Sequence, residues 1–288
     1  MVTSPPPSEP DPLAALLAEP RFELIPMAGV ESAIDALPPR SRVSVTASPR
    51  RGLEATFELL EVVASRGHRP TPHIAARMVR SKQHLAELVG RAARFGVDDL
   101  FVIAGDAPDS AGPYEGALDL LTDLVTIGVD LQSVGVASYP DGHPLNGAVV
   151  LREALHDKCE VLASAGWAAY ATTQMCFDDA KILAWLSEER ARGLDVPVVL
   201  GVPGVVERRR LLTMGARLGV GPSIRYLRKH RAAVGRLVRP QGYDPLELLE
   251  SLDHSAVDLG IEAVHLFTFN QVGPTVEWLE AARRRHIH

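Results

Sequence analysis

Apolar positions recur along this chain in two alternating periods. Short β-branched and aromatic runs such as Leu100-Phe101-Val102-Ile103 read as strands covered on both faces. Between such runs, apolar residues fall at spacings of three and four. Leu53, Phe57, Leu60 and Ala64 make one helical face, and Leu85, Leu88, Val89 and Ala92 make another that Ser81 is placed to cap. The punctuation repeats as well: Gly96-Val97-Asp98, Gly128-Val129-Asp130, Gly193-Leu194-Asp195 and Gly260-Ile261-Glu262 each separate a helical pattern from a β-branched run. A glycine closing a helix in the left-handed region explains this pattern. Strands are expected near residues 22, 44, 73, 102, 135, 170, 198 and 265. Units of roughly 30 residues fit βαβ crossovers closing into a single (β/α)8 barrel. The other arrangement open to such a pattern is a doubly wound sheet, which would usually carry a glycine-rich phosphate loop. Gly219-Val220-Gly221-Pro222 lacks the third glycine, and no Walker sequence occurs.

Composition narrows the picture. A chain of 288 residues, 46% of them hydrophobic, accommodates one barrel of roughly 250 residues. The opening MVTSPPPSEPDP is too proline-rich to bury much apolar surface, so residues 1–20 are expected as a flexible leader containing a short helix from Leu13 to Glu19, and residues 21–288 as the barrel. A net charge of -6 argues against a nucleic-acid partner. No uncharged apolar run approaches the roughly 18 residues of a membrane span, and no basic stretch followed by an apolar one opens the chain, so a cytoplasmic protein is expected. Cys159 and Cys176 lack metal-ligand spacing, so no metal site is expected.

In a barrel of this kind the residues at the carboxyl ends of the strands face one another across one mouth. Here that set includes Glu23, Thr46, His73, Asp106, Tyr139, His143, Gln174 and Asn270. Each has a plainer alternative. Glu23 reads either as a reactive carboxylate or as a barrel-interior acid paired with an arginine, and Asp106 either as a rim acid or as the N-cap of the next helix. His73 and His143 read equally as structural hydrogen bonders. Gln174 could simply tie strand to loop.

The order of the motifs adds to this. Phe22-Glu23, Ser44-Val45-Thr46, Pro72-His73, Gly105-Asp106-Ala107-Pro108, Tyr139-Pro140-Asp141-Gly142-His143-Pro144, Thr173-Gln174-Met175-Cys176-Phe177-Asp178, Gly201-Val202-Pro203-Gly204 and His265-Leu266-Phe267-Thr268-Phe269-Asn270 follow one another over about residues 20 to 285. In that succession the chain resembles the methylenetetrahydrofolate reductases. The resemblance implies a TIM barrel that reduces 5,10-methylenetetrahydrofolate to 5-methyltetrahydrofolate, in one-carbon metabolism serving methionine biosynthesis. It implies that Glu23 is the acid, that Asp106 is catalytic and binds the pterin with Gln174, and that Phe267 and Asn270 also contact substrate. Thr46, His73, Tyr139 and His143 take positions that in most members surround a flavin. The chemistry suits these residue types, because opening the five-membered ring needs a proton at N10 and leaves an iminium cation at N5 that a carboxylate can stabilise.

The chain also departs from the family pattern. Ala104 stands where members usually have an arginine, and Gln271 where the motif of the eighth strand ends in one. The helix after the Tyr-Pro motif, Leu151-Arg152-Glu153-Ala154-Leu155-His156-Asp157-Lys158-Cys159-Glu160, lacks the adjacent Arg-Lys pair that would hold a flavin diphosphate. The expectation is therefore a flavin-free reductase in which NADH or NADPH passes hydride directly to bound folate. The FAD-dependent ping-pong enzyme and a non-catalytic folate-binding barrel, acting as a sensor or partner subunit, are the competing readings. A monomer or small homo-oligomer is expected. The basic stretch Arg225, Arg228, Lys229, Arg231, Arg236 and Arg239 reads either as a solvated helix face or as an attractor for an anionic part of a ligand.

Overall fold

The computed structural model describes residues 11–207 and 244–286, apart from the side chains of Asp253, His254 and Ala256. The basic stretch from Arg225 to Arg239 lies outside the described residues. Eight parallel strands close into a ring in sequence order: β1 (Arg21–Leu24), β2 (Arg42–Val45), β3 (Arg69–Ala75), β4 (Asp99–Ile103), β5 (Ser133–Ser138), β6 (Ala168–Thr173), β7 (Val198–Pro203) and β8 (Ile261–Phe267). Every expected strand is found. The ring closes where β1 meets β8, with Phe22 opposite Leu266 and Glu23 opposite Phe267.

Helices α1 (Pro12–Ala18), α2 (Val30–Asp35), α3 (Gly52–Ser65), α4 (Lys82–Arg94), α5 (Ala117–Ile127), α6 (Ala148–Ser164), α7 (Asp179–Ala191), α8 (Leu246–Asp258) and α9 (Val272–His286) accompany the strands. Their apolar faces form the larger core against the outside of the barrel. In α4 the residues Leu85, Leu88, Val89 and Ala92 are all buried, and the Ser81 hydroxyl accepts from the His84 N–H at 3.1 Å as an N-cap. In α3 the buried face runs through Leu53, Phe57, Leu60 and Val63, with Ala64 at its margin. The glycines at 96, 128, 193 and 260 all take positive φ, between +69° and +92°. Their lack of a Cβ is what lets each helix turn directly into the next strand.

The short helix expected from Leu13 to Glu19 is found as α1. Leu13, Leu16 and Leu17 form an i, i+3, i+4 stripe that is buried, and α1 packs on β8, α8 and α9. Arg283 of α9 donates to the carbonyl oxygens of Leu17 and Ala18 at 2.7–2.9 Å, covering the carboxyl end of α1. From Pro12 onward the chain belongs to the folded body.

The amino-terminal end of the barrel interior is filled by polar groups that satisfy one another. The Asp99 carboxylate accepts from Arg21 at 2.6 Å, Thr71 at 2.9 Å, Ser133 at 2.8 Å and Tyr170 at 3.1 Å. The Arg21 guanidinium also lies 4.4 Å from the centre of the Tyr170 ring. Burial, first, and the neighbouring Asp99 charge push the Tyr170 hydroxyl well above its usual pKa, so it stays a hydrogen-bond donor. This plug shuts one end of the barrel, leaving the other for chemistry.

Candidate functional site

Glu23 is the penultimate residue of β1 and lies inside the barrel, 6% exposed. A carboxylate there requires partners. Its Oε2 lies 3.2 Å from Nε2 of His265 on β8, which is equally buried. The plainer alternative, a pairing with an arginine, is not what is found: Arg21, two residues earlier, is held by Asp99 instead. Next to this pair, His73 of β3 is hydrogen-bonded through Nε2 to the Ser44 hydroxyl of β2 at 2.9 Å and packs on Phe101 with ring centres 4.7 Å apart. Full burial drives the His73 pKa down to about 3, with the neighbouring His265 and Arg21 acting in the same direction, so His73 is a neutral imidazole at physiological pH.

The backbone around Glu23 is clasped from the end of β8. The Thr268 hydroxyl donates to the Glu23 carbonyl oxygen at 2.5 Å. Asn270 donates through Nδ2 to the Ile25 carbonyl oxygen at 2.9 Å and accepts from the Ile25 N–H through Oδ1 at 2.8 Å. Phe269 and Asn270 both have positive φ, +49° and +62°, which turns the chain sharply enough to face both groups toward β1. Asn270 thus spends both polar side-chain atoms on positioning the strand that carries Glu23. Phe267 lies against His265, ring centres 4.8 Å apart, and lines the interior beside the acid.

Asp106 follows β4 on an exposed loop at the same end of the barrel as Glu23, with β2 and β3 between their strands. It does not cap the next helix, because α5 begins at Ala117 with Gly116 as N-cap. The loop is held from β3's side: Arg77 donates to the carbonyl oxygens of Ala107 at 2.8 Å and Pro108 at 2.6 Å, and pairs with Glu115 at 3.0 Å. Gly105 makes the turn at φ +89°, and a Cβ at this position would sit 2.8 Å from that of Ala75. Gly105→Ala is therefore expected to lose about 1 to 3 kcal/mol of stability through backbone strain, measured as a shift in the urea midpoint. An unchanged midpoint would refute the tight approach of this loop to β3.

The other singled-out residues ring the mouth. Tyr139, just past β5, has its hydroxyl pKa raised by burial and by the Asp106 charge, which brings these two loops together electrostatically. Its ring meets that of His143 edge-on at 5.1 Å. His143 Nδ1 accepts from the Leu145 N–H at 3.3 Å, placing His143 as an organiser of the loop. Gln174 follows β6; its backbone N–H donates to the Ser138 carbonyl at 2.7 Å, and its side-chain oxygen accepts from the Met175 N–H at 2.8 Å. Thr46 extends the ladder beyond β2, its N–H donating to the Leu24 carbonyl at 3.0 Å.

The helix α6, where a dinucleotide diphosphate would need donors, has its basic side chains committed elsewhere. Arg152 is bound to Glu188 at 2.6 Å and Glu189 at 2.9 Å, both on α7. Lys158 is buried, its ammonium donating to the Ala137 carbonyl of β5 at 3.3 Å, and burial lowers its pKa to about 8. These residues do not fit the diphosphate of a flavin. Among the described residues no group of three or more histidine, cysteine and acidic side chains is placed to hold a metal ion.

Residues 37–220 match the family model for methylenetetrahydrofolate reductase. The chain belongs to the methylenetetrahydrofolate reductase family. It is 30% identical over 115 residues to methylenetetrahydrofolate reductase 2 of Saccharomyces cerevisiae, a match covering 37% of this chain and 19% of that protein's length. Among solved structures it is similar to an uncharacterised Clostridium thermocellum protein that binds two copies of 5-methyl-5,6,7,8-tetrahydrofolic acid. That similarity has a TM-score of 0.62 and 12% identity, covers 93% of this chain and 94% of the other, and concerns the fold. Within the reductase family, then, this barrel has the motifs at its mouth while the basic groups of α6 are engaged by α7 and β5.

Residues that sequence reasoning did not single out complete the site. His265 stood in a motif, but its partner lies 242 positions away. Thr268 acts through a contact that only the ring closure creates, and Arg77 and Ser44 through contacts between neighbouring strands and the loops that follow them.

Proposed function

We propose that this chain reduces 5,10-methylenetetrahydrofolate to 5-methyltetrahydrofolate, taking hydride directly from a reduced nicotinamide bound beside the folate in a ternary complex. The observation that carries this reading is Glu23, a buried carboxyl in the interior of a family-member barrel, held by His265 and oriented by the clasp from Thr268 and Asn270. Glu23 gives its proton to N10 as the bond from N10 to the methylene bridge breaks, and the bonding pair stays on nitrogen. The N5 lone pair forms the iminium, whose cation Asp106 stabilises across the mouth. Hydride then reaches the methylene carbon, leaving a methyl group and an oxidised nicotinamide. Gln174 and Phe267 line the folate side of the mouth, while Thr46, His73, Tyr139 and His143 line the space where the nicotinamide stacks.

The commitments of Arg152 to α7 and of Lys158 to β5 favour the flavin-free form of the reaction. Purified protein mixed with NADH or NADPH and methylenetetrahydrofolate, with no flavin added, is expected to show folate-dependent loss of nicotinamide absorbance. A protein that purifies with a stoichiometric yellow cofactor, or that turns over only when FAD is supplied, would overturn the direct transfer while leaving the net reaction standing.

A further inference from the structure

The reaction proposed above consumes one proton per turnover, because hydride supplies only one of the two hydrogens gained by the folate. The acid that delivers the other is 6% exposed, so its reloading depends on the groups that touch it. From β8, His265 touches it, with Nε2 at 3.2 Å from Oε2. The remaining titratable and charged neighbours can be named. Arg21 is the residue of β1 opposite His265 in the strand register, and its charge is met by Asp99 at 2.6 Å. His73 faces His265 across the interior at 6.5 Å between ring centres, and among the described residues Ser44 and Phe267 add uncharged side chains beside the two imidazoles. Tyr170 lies with Asp99 at the plugged end.

We infer that His265 is a positioning residue that shares with Glu23 the proton destined for N10, so that the pair, and not the carboxyl by itself, is the loaded acid. This rests on the assignment of Glu23 as the proton donor. In the loaded state one proton lies between Oε2 and Nε2 and the pair is neutral overall. Transfer of that proton to N10 leaves a carboxylate beside a neutral imidazole that keeps its Nδ1 proton, so the pair carries one negative charge until a proton from solvent restores the starting state. No oxidant or reductant enters this step. The neutrality of His73 matters here, since a second imidazolium so close would oppose any positive charge on His265.

The test is the pH profile of kcat in His265→Gln, whose amide still donates to Glu23 but cannot take up a proton. The alkaline limb of the profile, where the pair loses its proton, is expected to move toward lower pH by about one unit or more, because Glu23 must then hold the proton unaided. The plateau is expected to fall by about ten- to a hundredfold, with the KM for methylenetetrahydrofolate within about twofold. A purely structural role would lower the plateau and leave the limb in place, and that result would overturn the inference. His265→Asn serves as a second variant. Independently of turnover, the His265 imidazole resonances of the wild-type protein and of Glu23→Gln can be followed through a pH titration by NMR. Their midpoints are expected to differ by about one unit or more, and superimposable curves would also overturn the inference. A wild-type protein with no folate-dependent nicotinamide oxidation but with linked titration of the two residues would instead count against the proposed function.

Discussion

Glu23→Gln is expected to lower kcat by about 10²- to 10⁴-fold while binding folate nearly as well as the wild-type protein. Glutamine keeps the volume of the side chain and an oxygen that can accept from His265, so the barrel interior stays packed. What it loses is the transferable proton. Ring opening at N10 then lacks its acid, and the nicotinamide remains oriented beside a substrate that has not formed the iminium. The measurement is steady-state kinetics with a parallel binding titration of 5-methyltetrahydrofolate. Near wild-type turnover would remove Glu23 from the chemistry, and intact turnover with weakened binding would recast it as a folate contact.

The second large effect is on stability. Asp99→Ala is expected to cost about 3 to 5 kcal/mol, because it leaves the Arg21 guanidinium buried beneath the site without its counter-charge and strips acceptors from Thr71, Ser133 and Tyr170. The shift in the urea midpoint at unchanged slope reports it. The double variant Arg21→Met with Asp99→Leu, which removes both charges and retains bulk, is expected to recover much of the loss. A loss below about 1 kcal/mol in the single variant would mean that water reaches Arg21 readily, and that the plug is looser than its hydrogen bonds suggest.

How far the sequence carries the reader depends on the range of the forces involved. The strands and most helices are legible because their signals are local: a β-branched run, a three-and-four spacing, a glycine that ends a helix. Glu23 was conspicuous for the same reason, as a carboxylate between Phe22 and Leu24. The two readings of Asp106 separated only when α5 proved to begin eleven positions later, at Ala117. The partners of these acids were not legible at all. Asp99 meets Arg21 across 78 positions and His265 meets Glu23 across 242, and nothing in either local stretch announces the other. The short helix α2 and the 3-10 turn at Ala76–Met78 were missed because they span only one or two turns, too few to establish a period. The helix from Leu13 was legible, but not its docking, because the elements that α1 packs on, β8, α8 and α9, lie more than 200 positions further along the chain.

The clasp between the bend at Thr268–Asn270 and the first strand has a bearing on how the chain acquires its chemistry. During synthesis Glu23 emerges from the ribosome some 240 residues before the threonine, asparagine and histidine that hold it. For most of that interval the nascent polypeptide carries Glu23 without the groups that hold it. Such long-range closure is a slow event in folding, and here it coincides with assembly of the contacts around Glu23. A product stalled before β8 would carry Glu23 without the partners that hold it.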